Sequence, residues 1–216
     1  MKSLLIIGAG RFGALLCRNL SGLGNEVMVV DDDERKLADL LDCVVEAKIG
    51  DCTRADVLRS LGPEHFDACI VCVTDAFQSS LEITNQLHEM GAKKVISLAS
   101  TGIQAKFLRT NGADEVIYPE RDMANRLAMS ISYNTVFDFI QLSDEYSIFE
   151  IVPLRSWLGR SIRAVNVRAR YGISILGVKK DGKVTMPGPD YAFSEAEHLI
   201  VMGRTDTIHE LVGKNE

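Results

Sequence analysis

Three glycines near the start of the chain, Gly8, Gly10 and Gly13, follow an apolar run with the spacing Gly-x-Gly-x-x-Gly. The first glycine permits a tight turn, the second lets a pyrophosphate approach the backbone, and the third lets a helix pack close to the preceding strand. The N–H groups at the start of that helix then point at phosphate oxygens. The alternative is a glycine-rich turn without a ligand. The pattern predicts that this loop binds the phosphates of an adenine nucleotide.

Two side chains indicate which nucleotide the loop would hold. Asp31 stands 18 residues after Gly13, at the end of the second expected strand, and Asp32 follows it. A carboxylate at that point accepts hydrogen bonds from both ribose hydroxyls and repels a 2′-phosphate, which disfavours NADP. Arg11, beside Phe12, places a cation inside the loop, and a cation suits a terminal phosphate better than a dinucleotide bridge. The alternative for Arg11 is a solvated side chain.

Polar residues also follow the third and fourth expected strands. Asp51 and Cys52 come after the third strand, where a carboxylate and a backbone N–H could meet the adenine edge. Thr74 and Asp75 come after the fourth strand, at the sheet edge where ligands of parallel sheets bind. Asp75 has a second interpretation as a helix N-cap. We include these four residues in the predicted site.

Groups that would support catalysis or a structural metal are not indicated. Cys69-x-x-Cys72 could be a redox pair or half of a zinc site, but both cysteines lie in an apolar run. A strand turns residues three apart to opposite faces, which favours simple packing. The four histidines join no Ser/Asp or Glu pattern typical of acid–base or nucleophilic catalysis. The sequence therefore predicts a nucleotide sensor and not an enzyme.

Composition narrows the classes of partner and cellular location that remain. The net charge is −6 and the pI is near 5.3, which argues against a nucleic-acid partner. Five cysteines without paired spacing fit a reducing cytosol. Met1-Lys2 leads directly into an apolar strand and does not resemble a signal peptide. Because no apolar run reaches the roughly 18–20 residues of a membrane-spanning helix, we expect a cytoplasmic protein.

These residues require a sheet that brings strand ends together. Up to Tyr118, short and continuously apolar strands alternate with helices, as in a parallel sheet covered on both faces. The predicted fold is α/β, with a Rossmann-type doubly wound parallel sheet over residues 1–118. One or two crossover helices are expected from Glu120 to about Phe139, with a hinge at 142–146. The third part is a small α+β domain. The expected boundaries are 1–118, 119–144 and 145–216.

Several motifs in this order resemble the RCK (KTN) family, in particular its KtrA-type regulatory subunits of potassium uptake systems. The segments that carry the resemblance are Gly8–Gly13, Val29–Asp31, Gly50–Asp51, Tyr118–Met123, Leu142–Ser147 and Asn166–Gly172. The resemblance covers essentially the whole chain. It implies a homodimer that assembles into a homo-octameric ring beneath a membrane potassium transporter or channel subunit, KtrB- or TrkH-like, at the inner face of the membrane.

The resemblance also implies ligands for the first lobe. Proteins of this family bind ATP or ADP, and some relatives bind NAD or NADH, between dimer-related lobes. Arg11 matches an arginine that reaches the γ-phosphate, and Glu120 matches a glutamate that takes part in a Mg²⁺ or Na⁺ site there. A carboxylate that faces a phosphate needs a cation between them, in agreement with that role. Without the resemblance, Glu120 would be an acid stabilised at a helix N-terminus.

Cyclic di-AMP is a further ligand that the resemblance implies, at the dimer interface of the second lobe. The corresponding positions here are Ile162, Arg163, Asn166, Arg168 and Lys180. Arg163 stands where an apolar residue is common, and Lys180 stands where histidine is expected. Arg163 could stack on an adenine or spoil the apolar wall that the adenine needs. The alternative is a lobe that serves only dimer packing.

The sequence thus predicts a regulatory subunit that senses ATP and ADP and controls potassium uptake. An NAD(H)-sensing subunit of the same family is the first alternative. A small NAD-dependent oxidoreductase is a second, supported only by the glycine motif and Asp31.

Overall fold

A computed structural model describes residues 1–132, 136–143 and 145–213. The chain divides into two compact units, Met1–Glu120 and Arg121–Glu216. Among the described residues, every helix is too short or too polar to cross a membrane.

The first unit is a six-stranded parallel sheet with helices between its strands. The strands are β1 (Ser3–Ile7), β2 (Glu26–Asp31), β3 (Glu46–Ile49), β4 (Ala68–Val71), β5 (Val95–Leu98) and β6 (Glu115–Ile117). The helices are α1 (Arg11–Gly22), α2 (Glu34–Leu37), α3 (Ala55–Ser60), α4 (Phe77–Glu89) and α5 (Gly102–Thr110). The strand order β3-β2-β1-β4-β5-β6 confirms the predicted doubly wound arrangement.

Both faces of the central strands are buried, which explains why β1, β2 and β4 are mainly apolar. The edge strand β3 is partly exposed and carries Glu46 and Lys48. In β1, Leu4 and Ile6 pack in the core on one face, while Leu5 and Ile7 pack in the core on the other.

Cys69 and Cys72 pack in the cores on these opposite faces of the sheet. This is the arrangement expected if both cysteines serve packing rather than a redox or zinc site. Burial raises the pKa of each thiol to about 12, so both are protonated near neutral pH. The described residues contain no group of three or more His, Cys, Asp or Glu side chains that could hold a metal ion.

A helix and a second sheet follow. Helix α6 (Pro119–Ser132) starts at the end of the first unit. The second sheet is antiparallel, with the order β10-β9-β11-β8-β7. Its strands are β7 (Val136–Gln141), β8 (Tyr146–Ile151), β9 (Ser174–Lys180), β10 (Lys183–Thr185) and β11 (His198–Arg204). Its helices are α7 (Ile162–Val165), α8 (Val167–Tyr171) and α9 (Thr205–Gly213). The core includes the fully buried Trp157 and Phe149.

The prediction of helix up to Phe139 was wrong, because 136–141 is the edge strand β7. Val-Phe-Asp-Phe-Ile is rich in β-branched and aromatic residues, which favour strands. The strand is fixed by antiparallel pairing with β8, a tertiary contact that helical periodicity does not reveal.

The described residues of the segment predicted as a hinge lie between β7 and β8 and at the start of β8. The backbone N–H groups of Leu142 and Ser143 both donate to the Tyr146 carbonyl. The Ser143 hydroxyl accepts from the N–H groups of Glu145 and Tyr146. Asp144, which belonged to the predicted hinge, lies outside the described residues.

A hairpin turn at 180–183 joins β9 to β10. Lys180 pairs with Lys183 across the turn, and Asp181 and Gly182 both have positive φ, 49° and 75°. Two consecutive positive φ values are typical of the type I′ turn that joins hairpin strands.

Candidate functional site

A cavity of about 690 Å³ opens at the carboxyl edge of the parallel sheet. The connections that leave β1 and β4 run in opposite directions here, which creates the crevice where ligands of such sheets bind. The predicted residues that line it are Gly8, Gly10, Arg11, Phe12, Asp31, Asp32, Asp51, Cys52, Thr74, Asp75 and Glu120. Gly13 is the one predicted nucleotide residue outside the lining.

The three glycines of the loop meet different steric demands. Gly8 has φ +99°, and a Cβ there would lie 3.1 Å from the Cys72 carbonyl carbon. A Cβ on Gly13 would overlap the Gly8 carbonyl oxygen, so Gly13 is required for packing rather than for ligand contact. A Cβ on Gly10 would have no atom within 4 Å. Because Gly10 lines the cavity, this open space is available to a ligand.

The N-terminus of α1 has the features of an anion-binding site. Its N-cap residue is Gly10, no side chain caps the helix, and its first turn contains no acidic residue. The first N–H groups of a helix carry partial positive charge and attract phosphate. Arg11 adds a full positive charge at the same point. Its side chain is exposed and has no ion-pair partner within the described ranges.

Asp31 is the most constrained carboxylate in the cavity. Its side chain is only 4% exposed. The Ala9 N–H donates to Oδ2 at 2.7 Å, and the Asp33 N–H donates to Oδ1 at 2.9 Å. Burial alone would raise the pKa of Asp31, but these hydrogen bonds and the Lys36 ammonium outweigh burial and lower it. Asp31 is therefore an ionised acceptor at neutral pH.

Lys36 is the charged lining residue that sequence reasoning missed. Its Nζ lies 3.1 Å from Oδ1 and 3.3 Å from Oδ2 of Asp31, and it lines the cavity. The available signal was a lysine five residues after Asp31 in a short helix. That spacing alone does not show that the side chain turns back towards the strand end.

Asp51 and Cys52 lie in the turn after β3. The Asp51 Oδ1 accepts from the N–H of Thr53 at 2.9 Å and from its hydroxyl at 2.6 Å. These two bonds lower the pKa of Asp51. Burial raises the pKa of the Cys52 thiol to about 12, so Cys52 offers the cavity its backbone and an un-ionised side chain.

The predicted alternatives for Asp75 and Glu120 have different outcomes. The N-cap of α4 is Ala76, without a side-chain cap, so the N-cap interpretation of Asp75 was wrong. Glu120 is the second residue of α6 and also lines the cavity. Its position fits both an acid at a helix N-terminus and an acid that faces a ligand.

Negative charge predominates in the cavity wall. The cationic lining residues are Arg11 and Lys36, and the acidic ones are Asp31, Asp32, Asp51, Asp75 and Glu120. A polyphosphate in this wall would face repulsion unless a cation accompanied it. The chemistry of the donor set therefore fits a metal-bound nucleotide.

The residues predicted for cyclic di-AMP belong to the second unit. Ile162 and Arg163 lie in α7, Arg168 lies in α8, and Asn166 links the two helices with φ 55°. Arg163 forms an exposed ion pair with Asp190 at 3.1 Å. Lys180 is the last residue of β9, on the hairpin.

Comparison with known protein families gives two matches. The TrkA-N domain matches residues 4–119, and the TrkA-C domain matches residues 146–213. Two similar proteins of Bacillus subtilis (strain 168) are Ktr system potassium uptake proteins C and A. They are 37% and 36% identical to this chain over 208 residues, which cover 96% of this chain and 94% of each relative.

Solved structures share the fold. The GsuK RCK domain has a TM-score of 0.68 at 20% identity, covering 99% of this chain and 47% of that one. A GsuK channel bound to NAD has a TM-score of 0.68 at 22% identity, covering 95% of this chain and 38% of that one. The Kef C-terminal domain of Shewanella denitrificans in its AMP-bound form has a TM-score of 0.52 at 25% identity, covering 60% of this chain and 79% of that one. These proteins share the fold, and some bind nucleotides.

Proposed function

This chain belongs to the family of proteins that join a TrkA-N domain to a TrkA-C domain, and we propose that it is a nucleotide-sensing regulatory subunit of a potassium channel or transporter. The observation that carries the proposal is that Gly8, Gly10, Arg11, Asp31 and Glu120 line one cavity. The similarity to potassium uptake proteins over nearly the whole chain supplies the process that this site would regulate.

ATP and ADP are the proposed ligands. The ribose binds to Asp31, the α- and β-phosphates bind to the start of α1, and the γ-phosphate of ATP binds to Arg11. Glu120 holds Mg²⁺ or Na⁺ beside the terminal phosphates, where the cation offsets the acidic wall. The protein therefore distinguishes ATP from ADP by one phosphate, one arginine and one cation.

NAD or NADH is the second candidate ligand. The carboxylate of Asp31 can bind the adenosine ribose of any of these nucleotides, and a GsuK channel of the same fold has been solved with NAD. Arg11 favours ATP and ADP, because its exposed charge has no partner in the described part of the chain and a terminal phosphate would supply one. The oxidoreductase alternative rests only on the glycine motif and Asp31.

The proposed assembly is a homodimer that builds a homo-octameric ring. The ring sits in the cytoplasm against the inner face of the membrane and contacts a KtrB- or TrkH-like potassium subunit. Cyclic di-AMP at Ile162, Arg163, Asn166, Arg168 and Lys180 is a proposed second input. In this proposal the protein regulates transport and catalyses no reaction.

The direct test measures thermal unfolding with ATP, ADP or NADH. A ligand at 100 times its Kd stabilises the folded state by about 2.7 kcal/mol, so we expect ATP and ADP to raise the midpoint. Asp31→Asn should lose most of that shift, whereas Asp39→Asn, an exposed acid outside the cavity lining, should keep it. A shift with NADH alone would favour the second candidate. No shift with any of the three would contradict nucleotide sensing.

A further inference from the structure

The carboxylate of Asp31 has no free acceptor position. It accepts from two backbone N–H groups, those of Ala9 and Asp33. Both of its oxygens also accept from the Lys36 ammonium, at 3.1 and 3.3 Å. A carboxylate has about four lone-pair positions, and all four are used. A ribose diol that binds here therefore has to displace two of the present hydrogen bonds.

Lys36 is the donor that can leave. The N–H of Ala9 belongs to the glycine loop, whose path is fixed by the hydrogen bond from Gly8 to the Val30 carbonyl at 2.8 Å. The N–H of Asp33 belongs to the backbone turn that leads into α2. The Lys36 side chain, by contrast, is 45% exposed and reaches Asp31 by a flexible stem.

We propose that Lys36 competes with the ribose of the nucleotide for Asp31: it pairs with Asp31 when no nucleotide is bound and releases it when ribose hydroxyls arrive. This inference rests on the proposed function and specifies how its affinity is set. The displaced ammonium remains near Asp32 and Asp33, whose charges already act on it. Displacement therefore needs no new counter-ion.

The energetic effect is modest. Ion pairs with one exposed partner contribute up to about 1 kcal/mol, so competition would weaken nucleotide affinity by roughly two- to fivefold. Removing the positive charge from an acidic cavity should otherwise weaken the binding of an anion. Competition therefore predicts that removal of Lys36 increases nucleotide affinity, whereas the loss of positive charge alone would decrease it.

The test compares Lys36→Met and Lys36→Arg in the full chain by calorimetric titration with ATP, ADP and 2′,3′-dideoxy-ATP. Lys36→Met should bind ATP and ADP about two- to fivefold more tightly. It should bind dideoxy-ATP no more tightly than the parent does, because that ligand has no hydroxyls to compete for Asp31. Lys36→Arg, which can pair with a carboxylate bidentately, should bind ATP more weakly than the parent.

Lys48→Met is the matched control. Lys48 lies on β3, pairs with Glu46 at 3.2 Å and is absent from the cavity lining, so its loss should leave all three affinities unchanged. Weaker ATP binding by Lys36→Met, or an equal gain for ATP and dideoxy-ATP, would overturn the inference while leaving nucleotide sensing intact. No binding of ATP or ADP by the parent would instead contradict the proposed function.

Discussion

Arg11 is the residue on which discrimination between nucleotides depends in the proposed binding mode. It combines a permanent charge with an exposed side chain at the uncapped start of α1, and the described residues offer it no ion-pair partner. A guanidinium in this state is desolvated only when a phosphate arrives. In that binding mode the glycine loop and Asp31 would contact every adenine nucleotide in the same way, so the difference between ATP and ADP would arise at Arg11 or at the cation.

Replacing Arg11 with alanine should weaken ATP more than ADP. A hydrogen bond to a charged group contributes about 1.5–3 kcal/mol, so the Kd for ATP should rise about 10- to 100-fold. The Kd for ADP should change by less than about threefold. Arg18→Ala is the control, because Arg18 lies on the same helix outside the cavity lining. Equal losses for both ligands would show that Arg11 does not contact the γ-phosphate.

Glu120 should make ATP binding depend on a cation. In the parent, Mg²⁺ should tighten ATP binding by roughly tenfold, because Glu120 would hold the cation and the cation's charge would offset the acidic wall beside the phosphates. In Glu120→Gln the increase in ATP affinity caused by Mg²⁺ should fall to about twofold or less. Asp122→Asn removes a nearby exposed charge from the same helix outside the cavity lining, and it should keep the full gain. A gain that is unchanged in Glu120→Gln would assign this residue to the helix terminus alone.

Local patterns predict the elements of the first unit better than those of the second. The glycine loop, Asp31 and the apolar central strands follow from local sequence patterns, and Gly8, Gly10 and Asp31 line one cavity. β7 was missed because its conformation depends on pairing with β8. Lys36 was missed for a related reason, since its contact with Asp31 depends on the direction of a side chain in space.

The loop and α1 give a prediction that separates folding from ligand binding. Gly10→Ala should fold, because a Cβ there meets no atom within 4 Å, and should lose at most about 1 kcal/mol of stability. Its ATP affinity should nevertheless fall at least tenfold, or about 1.4 kcal/mol, since the methyl group occupies the space of a phosphate.

Gly13→Ala is the matched partner. Its Cβ would overlap the Gly8 carbonyl oxygen, so the free energy of unfolding should drop by about 3 kcal/mol or more. Urea denaturation and nucleotide titration measure the two effects. Normal ATP affinity in Gly10→Ala would show that the phosphates do not bind at this loop. Normal stability in Gly13→Ala would show that Gly13 is not required for packing.

At the scale of the whole molecule, apolar side chains on the surface indicate assembly. On α6, Met123, Leu127 and Ile131 are 61%, 57% and 73% exposed, and their spacing of four residues places them in one stripe. Ile103 and Phe107 form a similar exposed pair on α5, at 71% and 50%. Stripes of large apolar residues on a folded chain are typical of surfaces that a partner covers, and the proposed ring requires such surfaces between copies.

Glutamate substitutions in the α6 stripe should therefore reduce the size of the assembly without unfolding the chain. Met123→Glu and Ile131→Glu each place a charge where a subunit contact would bury it, and burying an unpaired charge costs several kcal/mol. We expect the molar mass from light scattering to fall to a smaller species at the same protein concentration, with an unchanged far-UV spectrum. Leu23→Glu is the control, because Leu23 is 78% exposed but lies outside both stripes, and its mass should equal that of the parent. If both stripe variants keep the parent's mass, copies of the chain do not meet through α6, and the ring has to be built from other surfaces.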